Sequence, residues 1–272
     1  MTGLGFQGGD RSVRIWQGAE VTASELEVSE PGRTGVIIVG SDTVLDLCDS
    51  TIIRPIADAT EDAGEIGYGI SIDRATVRLL DVTIEGATGA GIIAVGDRED
   101  GNLDMERVIV RDTEATSEGT YGRGVHLQDL NIASLLMVNL ENNVDTALFA
   151  KRPQELTVTS STITLVESAS IPGESDESGD GIVVTGRKSS TDTSNPSPSA
   201  VLVALTGNTI DDVARQGILL ERVEAEVGDN EVTGAISAQD GSDISGGDTV
   251  EELDEDEALL MNYDDLTATS GD

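Results

Sequence analysis

The sequence predicts an all-β protein in which short parallel strands stack as repeated units. Aromatic residues make up only 2% of the chain while glycine occurs 31 times, which favours a core of small aliphatic side chains and frequent turns. A glycine followed by apolar residues also recurs at regular intervals, which indicates units that bury their apolar faces only against neighbouring units. The recurring segments are Gly35–Ile38, Gly69–Ile72, Gly91–Ala94, Gly124–Leu127, Gly181–Val184 and Gly217–Leu220.

Long and short units alternate. The unit from Gly69 to Gly91 has about 22 residues, and the long units gain their extra length from an acidic, glycine-containing loop. Because these loops recur at one phase of the repeat, we expect them to project from one edge of the stack and to form its working surface. The three loops are residues 57–67, 112–122 and 167–180.

Within a unit, two further apolar runs follow the strand that begins at the glycine. Val77–Leu80 followed by Val82–Ile84 is one example. The runs alternate with a period of two and lack helical spacing, so they predict strands, and equivalent strands of successive units must lie parallel. A strand pattern already occupies residues 12–28, which leads us to expect a fragment, or a mature region whose export signal lies upstream.

The repeats predict one elongated domain over residues 1–238, with a flexible Ser-, Thr- and Pro-rich insertion at about 187–199. Residues 239–272 are acidic and allow two interpretations. The segment from Thr249 to Tyr263 has a capping-box pattern and could form a short helix that covers the end of the stack. The alternative is a disordered acidic tail.

The repeat resembles that of the right-handed parallel β-helix superfamily, the pectate-lyase-like solenoids. The resemblance is strongest where Asn-x-Ile and Gly-Ile signals alternate, in Leu205–Ile210, Gly217–Leu220 and Gly228–Gly234, and it covers about residues 12–238. It implies a right-handed parallel β-helix with acidic loops at one edge. It implies little about activity, because this fold hosts lyases, hydrolases, adhesins and inert scaffolds.

The charge restricts the partners. The chain has 52 acidic and 16 basic residues and a formal net charge of −36, which repels nucleic acid and anionic membranes. No segment has the length and hydropathy needed for membrane insertion. Such a composition is typical of proteins adapted to high salt and of acidic extracellular proteins, and specific cation sites are the alternative explanation. We therefore expect an extracellular or cell-surface location.

Cysteine and histidine each occur once. Cys48 cannot form an intrachain disulfide and lies in an apolar alternation, which predicts a small core residue. Zinc sites of the Cys/His type are excluded by the same counts. His126 is predicted to be a solvent-facing strand residue rather than a general base.

Three carboxylates define a candidate metal site. Alignment of the units places Asp49, Asp81 and Glu106 in one column, each three residues before an isoleucine. At the spacing of adjacent strands, about 4.8 Å, such carboxylates could bind calcium. Acidic residues at a solvated turn explain the same pattern without a ligand.

Two tyrosines define a candidate glycan contact. Tyr68 and Tyr121 each end a long acidic loop, and they lie two units apart. If exposed, they would offer aromatic faces to a sugar. The alternative, which we favour, is that each ring packs over its own loop.

The superfamily resemblance implies specific catalytic residues, and the chain matches them poorly. The resembling polysaccharide hydrolases use paired aspartates, as in Asp211–Asp212, but the accompanying Asn-x-Asp, Gly-His-Gly and Arg-x-Lys motifs are missing. The lyases use calcium-binding aspartates and an arginine base, roles that Asp49, Asp81 and Arg111 could fill although no motif selects them.

The sequence therefore favours a non-catalytic, secreted or surface-exposed scaffold or adhesin-like protein. Its edge loops would bind cations, with calcium as the candidate, or meet an extracellular glycan or a surface protein. The alternative is a polysaccharide lyase or glycoside hydrolase acting on an extracellular glycan. No catalytic residue is assigned, and the oligomeric state is not predicted.

Overall fold

A computed structural model describes residues 3–7, 11–55, 66–116, 121–168, 178–186 and 201–253. This part of the chain is all β and contains no helix, as predicted. It accordingly has no helix that could carry the chain through a bilayer. Most of the three predicted edge loops, the insertion at 187–199 and the end of the acidic C-terminal segment lie outside the described residues.

Twenty-six strands follow one another along the described residues. They are β1 (Gly5–Gln7), β2 (Arg11–Trp16), β3 (Glu20–Ser24), β4 (Glu27–Ser29), β5 (Thr34–Val39), β6 (Val44–Ile53), β7 (Tyr68–Asp73), β8 (Thr76–Glu85), β9 (Ala90–Val95), β10 (Asn102–Glu106), β11 (Ile109–Thr113), β12 (Arg123–Gln128), β13 (Ile132–Leu136), β14 (Asn139–Val144), β15 (Thr146–Lys151), β16 (Glu155–Thr159), β17 (Thr162–Glu167), β18 (Asp180–Thr185), β19 (Leu202–Thr206), β20 (Thr209–Val213), β21 (Ile218–Glu221), β22 (Glu224–Gly228), β23 (Glu231–Val232), β24 (Ile236–Gln239), β25 (Asp243–Ser245) and β26 (Glu251–Glu252).

The strands form two large parallel sheets, which we call the ten-stranded sheet and the sixteen-stranded sheet. The ten-stranded sheet has the order β2-β5-β7-β9-β12-β15-β18-β21-β24-β26, so it receives one strand from each successive unit. The other strands form the sixteen-stranded sheet, in which β8 joins the row β10-β13-β16-β19-β22-β25 to the row β11-β14-β17-β20-β23. Every pairing between named strands is parallel, which confirms that prediction and is compatible with a β-solenoid.

The chain changes direction at columns of residues in the left-handed backbone region. Between the two rows of the sixteen-stranded sheet, the corner residue is Asp49 (φ 47°), Asp81 (φ 54°) or Arg107 (φ 53°) in successive units. The registers on both sides of the corner place these residues at equivalent positions. Left-handed backbone is uncommon outside glycine, so its recurrence shows that the bend, rather than the side chain, is the repeated feature.

One continuous core joins both sheets. Alternate residues of every long strand enter it, for example Val77 and Leu79 of β8 and Ile70 and Ile72 of β7. The glycine at the second position of β5, β7, β9, β12 and β18 permits a close approach between neighbouring strands. A Cβ atom on Gly69 would lie 2.4 Å from Ile84 Cγ2 and 2.5 Å from the carbonyl oxygen of Gly91, which explains why the repeat begins with this residue.

Stacked amides mark the C-terminal end of the sixteen-stranded sheet. Asn208 Nδ2 donates to Oδ1 of Asn230 over 2.9 Å and to the carbonyl oxygen of Val158. Asn230 Nδ2 donates to Asp248 over 2.7 Å. Each amide thus satisfies backbone groups that the bend would leave unpaired.

Strand pairing continues beyond residue 238. β25 pairs with β22 and β26 pairs with β24. The helix expected from Thr249 therefore does not begin there, because Glu251 and Glu252 form a strand; the rest of that segment lies outside the described residues. The acidic residues up to Leu253 add edge strands to both sheets.

Cys48 is not the core residue that we predicted. It lies between the buried Leu47 and the corner residue Asp49, and its side chain is partly exposed. Leu45 and Leu47 point into the core, so the period of the strand turns Cys48 outward. Its thiol donates to the carbonyl oxygen of Ala23 over 3.7 Å, and burial together with nearby carboxylates raises its pKa.

Candidate functional site

The outward face of the ten-stranded sheet is buried along most of its length, although Trp16 of β2 is 46% exposed. Phe149, Val183 and Leu219 belong to β15, β18 and β21 and form a cluster of their own, separate from the main core. Ile93 of β9 lies in a second separate cluster with Tyr68 and Ala90. This sheet therefore buries side chains on both faces, as parallel strands often do, and the most enclosed polar groups lie on its outward face.

Four residues on this face form the Arg123 cluster, which comprises Arg123, His126, Asp145 and Phe149. Arg123 Nε donates to Asp145 Oδ2 over 3.0 Å, and Arg123 Nη1 lies 2.7 Å from His126 Nδ1. The guanidinium carbon also lies 4.4 Å from the centroid of the Phe149 ring. Arg123 is 2% exposed, so the cation is enclosed by a carboxylate, an imidazole and an aromatic face.

The register of the strands brings the Arg123 cluster together. His126 of β12 pairs directly with Phe149 of β15, and their ring centroids lie 5.1 Å apart. Asp145 has φ 78° and immediately precedes β15, so the bend before that strand presents its carboxylate to the neighbouring Arg123. The cluster is thus a product of parallel stacking rather than of a local motif.

The prediction that His126 faces solvent was wrong. The residue is fully buried. A guanidinium has no acceptor, so Arg123 donates to Nδ1 and the ring proton lies on Nε2. Burial and the Arg123 cation lower the pKa of His126 well below 6.5, and Gln128 offsets this only in part. A neutral, buried imidazole of this kind neither meets a substrate nor takes up a proton near neutral pH.

The same environment acts on Asp145. Burial raises the pKa of its carboxyl, and the neighbouring Arg123 opposes that rise. In such surroundings, removing one partner of an ion pair strongly destabilises the folded protein, because the other charge stays buried without a partner. Loss of either partner should therefore cost more stability here than at an exposed ion pair.

A second buried ion pair lies further along the same sheet edge. Arg215 Nε donates to Asp180 Oδ1 over 2.8 Å, and its Nη2 bonds to Oδ2. The backbone N–H of Gln216 also donates to Asp180, over 3.1 Å. Asp180 starts β18 and is fully buried. In both pairs an arginine binds an aspartate of a neighbouring unit. Arg123 binds Asp145 of the next unit, and Arg215 binds Asp180 of the previous one.

The predicted carboxylate column is correct for Asp49 and Asp81 but displaced by one residue at Glu106. The register pairs Glu106 with Leu80, so the residue beside Asp81 is Arg107. Arg107 Nε donates to Asp81 Oδ1 over 2.7 Å, which lowers the pKa of Asp81. Our alignment equated Ile109 with Ile84, whereas the strands pair Ile109 with Thr83.

No group of three or more metal-ligating side chains occurs within the described ranges. At the corner that we predicted, the arginine at the third position supplies a cation of its own. Arg107 also bonds to Glu106. The carboxylate that would have completed the calcium site is thus engaged with the guanidinium that replaces it in the column.

Tyr68 packs within the protein rather than facing solvent. It is 2% exposed, and Ala90, Ile93 and the partly buried Tyr121 lie around it. Burial raises the pKa of its hydroxyl. Tyr121 lies with its ring centroid 5.3 Å from the guanidinium carbon of Arg123. The two tyrosines do meet, but as part of the lining beside the Arg123 cluster; Tyr68 has no free face for a sugar.

The residues implied by the superfamily resemblance do not converge. Asp211 accepts a hydrogen bond from Thr233 Oγ1 over 2.6 Å, while Asp212 occupies a left-handed corner at φ 54°. Arg111 lies several units away from these aspartates, and its Nη2 bonds to Glu85 Oε2 over 2.7 Å. These groups belong to the exposed face of the sixteen-stranded sheet and engage neighbours on adjacent strands.

The outward face of the sixteen-stranded sheet is open and charged. In its first units several acidic residues have arginine partners, such as Glu85 with Arg111 and Asp104 with Arg78. In its last units Glu155, Glu224 and Glu226 form no ion pair with any described residue, and an exposed Leu202 lies among them. The two halves of one face thus differ in how their charge is balanced.

Sequence reasoning missed the Arg123 cluster, although a signal for it was present. The recurring segments are apolar at consecutive positions, as in Gly91-Ile92-Ile93-Ala94, and consecutive apolar residues indicate a strand buried on both faces. In Gly124-Val125-His126-Leu127 the histidine occupies the outward position of such a strand.

The chain has no significant match among protein-family models, curated proteins or solved structures.

Proposed function

We propose that this protein is a non-catalytic, acidic, right-handed parallel β-helix that acts as a rigid scaffold or adhesin-like module outside the cell or on its surface. The β-helix assignment is supported by the parallel registers, by the three strand rows that alternate along the chain and by one core that takes side chains from both sheets. The location is supported by the net charge of −36, which suits a solvent-exposed protein at high ionic strength.

The Arg123 cluster is the observation that carries the non-catalytic proposal. Its titratable groups are buried and engage one another: Arg123 bonds to Asp145 and contacts His126. Catalytic acids and bases need access to a substrate and a pKa near the working pH. Burial instead lowers the pKa of the only histidine and raises that of Asp145, which suits a structural role in the sheet.

A polysaccharide lyase or hydrolase is the class against which this proposal is tested. The screen is a panel of acidic and neutral polysaccharides, assayed for new reducing ends and for unsaturated products, at high salt with and without calcium. We expect no turnover. Turnover that disappears in Asp211→Asn or Arg111→Ala, but persists in Asp46→Asn, would overturn the scaffold proposal in favour of an enzyme.

The partner of the scaffold is an extracellular glycan or a surface protein. A glycan array probes the first class directly, with Tyr121→Ala as the variant, since its ring is partly exposed. Binding that needs Tyr121 would support a glycan contact at this edge. Binding unaffected by the substitution would move the contact elsewhere.

A further inference from the structure

A groove crosses the outward face of the last units of the sixteen-stranded sheet, on strands β16, β19 and β22. It is shallow and open to solvent, with a volume of about 320 Å³. We call it the Leu202 groove. Its outward side chains come from three neighbouring strands in register, because Glu155 pairs with Leu202 and Leu202 with Glu224. Small residues form its floor: Ala204 lies between Thr157 and Glu226.

An apolar side chain lies among the carboxylates of this groove. Leu202 is 48% exposed, while Val203 beside it points into the core. Glu155 and Glu224 flank Leu202 along the stack, one strand away on either side, and Glu226 lies on the same face. An exposed leucine alone means little, but one bordered by carboxylates in a groove offers both contact area and charge.

These carboxylates differ from several of those in the first units, where an arginine balances the charge. On β8 and β10, Arg78 lies 3.6 Å from Asp104, and Arg107 and Arg111 bind Asp81 and Glu85. None of the ion pairs of the described residues includes Glu155, Glu224 or Glu226. Their charge is thus available to a cationic partner, which would supply what arginine supplies in the earlier units.

We infer that the Leu202 groove binds a basic polypeptide segment that also carries apolar side chains. The spacing of the carboxylates indicates which backbone conformation the bound segment has. Glu155 and Glu224 lie two strands apart, which is about 10 Å along the stack. A polyproline II segment places every third residue on one side at intervals of about 9.3 Å. A lysine at every third position therefore meets both carboxylates, and a leucine on the neighbouring edge of the same helix packs against the side of Leu202.

This inference goes beyond the scaffold role, because it names a binding surface and the chemistry of its partner. The probe is a nine-residue peptide of three Lys-Pro-Leu repeats, and the matched control peptide has three Lys-Pro-Ser repeats. Dissociation constants are measured by calorimetry for the full chain at about 0.2 M and 1 M NaCl. We expect the leucine peptide to bind about fivefold more tightly than the serine peptide, since it covers a half-exposed leucine.

Two variants assign the binding to the groove. Leu202→Ser should remove the preference for the leucine peptide. Glu224→Gln combined with Glu226→Gln should weaken both peptides and flatten their salt dependence. The matched controls lie on the same face in an early unit: Val44→Ser occupies the column of Leu202, and Asp46→Asn occupies the column of Glu226. Both controls should bind as the unaltered chain does.

Three results would overturn the inference: no binding of the leucine peptide, equal binding of the two peptides, or an equal loss in the control variants. Equal loss would show that the peptide responds only to net charge. None of these results touches the polysaccharide screen, so failure of the groove and failure of the scaffold proposal are separate outcomes. Circular dichroism of each variant checks that the sheets are intact.

Discussion

The outward faces of the two sheets have opposite characters. On the ten-stranded sheet most outward residues are buried, and the Arg123 cation is paired inside the protein with Asp145. On the sixteen-stranded sheet the outward residues are exposed, and their charges face solvent or an arginine of the next strand, as Glu85 does. Both sheets contribute their inward residues to one core. The same parallel stacking thus supports one enclosed face and one display face.

The contrast shows that pointing away from the core does not by itself determine whether a residue is exposed. Leu219 and Leu202 both point away from the core, yet Leu219 is fully buried and Leu202 is half-exposed. A substitution that leaves the strand pattern intact therefore has very different consequences on the two faces. Four measurements test whether the two faces differ in this way.

Arg123→Ala should destabilise the protein by about 3–5 kcal/mol, because it leaves Asp145 buried without its cation. Denaturation at fixed high salt gives the free energy of unfolding. The matched substitution on the display face, Arg111→Ala, removes an exposed ion pair and should cost no more than about 1 kcal/mol. Similar losses in the two variants would abolish the distinction between the faces.

Leu219→Ala should cost about 2–5 kcal/mol, since it opens a cavity in a buried cluster. Leu202→Ala removes the same group from the display face and should change stability by no more than about 0.5 kcal/mol. The pair is compared by denaturant midpoint at a common slope. A small effect at Leu219 would mean that the outward face of the ten-stranded sheet is accessible after all.

The stability contributed by a neutral His126 should be lost at acid pH. Because its folded-state pKa lies well below 6.5, the unfolded chain takes up a proton below that pH while the folded chain does not. The free energy of unfolding therefore falls by about 1.4 kcal/mol per pH unit as the pH drops below 6.5. His126→Asn removes this component, so its stability should depend less steeply on pH between 6.5 and 5. Parallel pH profiles for the two proteins would contradict a buried, neutral histidine.

Calcium should have the smallest effect. Since Arg107 stands beside Asp81 in the corner column, we expect millimolar calcium at fixed ionic strength to leave the melting temperature unchanged. A rise that disappears in Asp49→Asn would restore the calcium site predicted from the sequence. A rise that survives the substitution would locate a cation elsewhere on the acidic surface.

The architecture could be predicted because it depends on a pattern that every unit repeats. Gly69, Gly91 and Gly124 mark equivalent strands in the sequence, and Ile70, Ile92 and Val125 are adjacent in the sheet. The parallel strands and the absence of helices in the described part follow from that periodicity. Nothing in the repeat, however, indicates which outward face is covered.

The site was harder to predict because it depends on single residues and on register. Placing Glu106 in the corner column required the outward-facing Ile109 to be equivalent to the inward-facing Ile84, and a shift of one residue exchanges the two faces of a strand. The pairing of Arg123 with Asp145 joins neighbouring units at a bend whose length varies between units. Such contacts can be found only in the three-dimensional structure. The burial of both strand faces around them was already visible in the sequence as runs of apolar residues.

The glycine column has a consequence for how such a chain can evolve. Because the close approach at Gly69 fixes the separation of neighbouring strands through backbone atoms, the residues that point outward on the exposed face can vary without changing that separation. Duplication or deletion of one turn would lengthen or shorten the molecule by about 4.8 Å. A duplication or deletion between the Arg123 cluster and the Leu202 groove would change the distance between them without any redesign of the core.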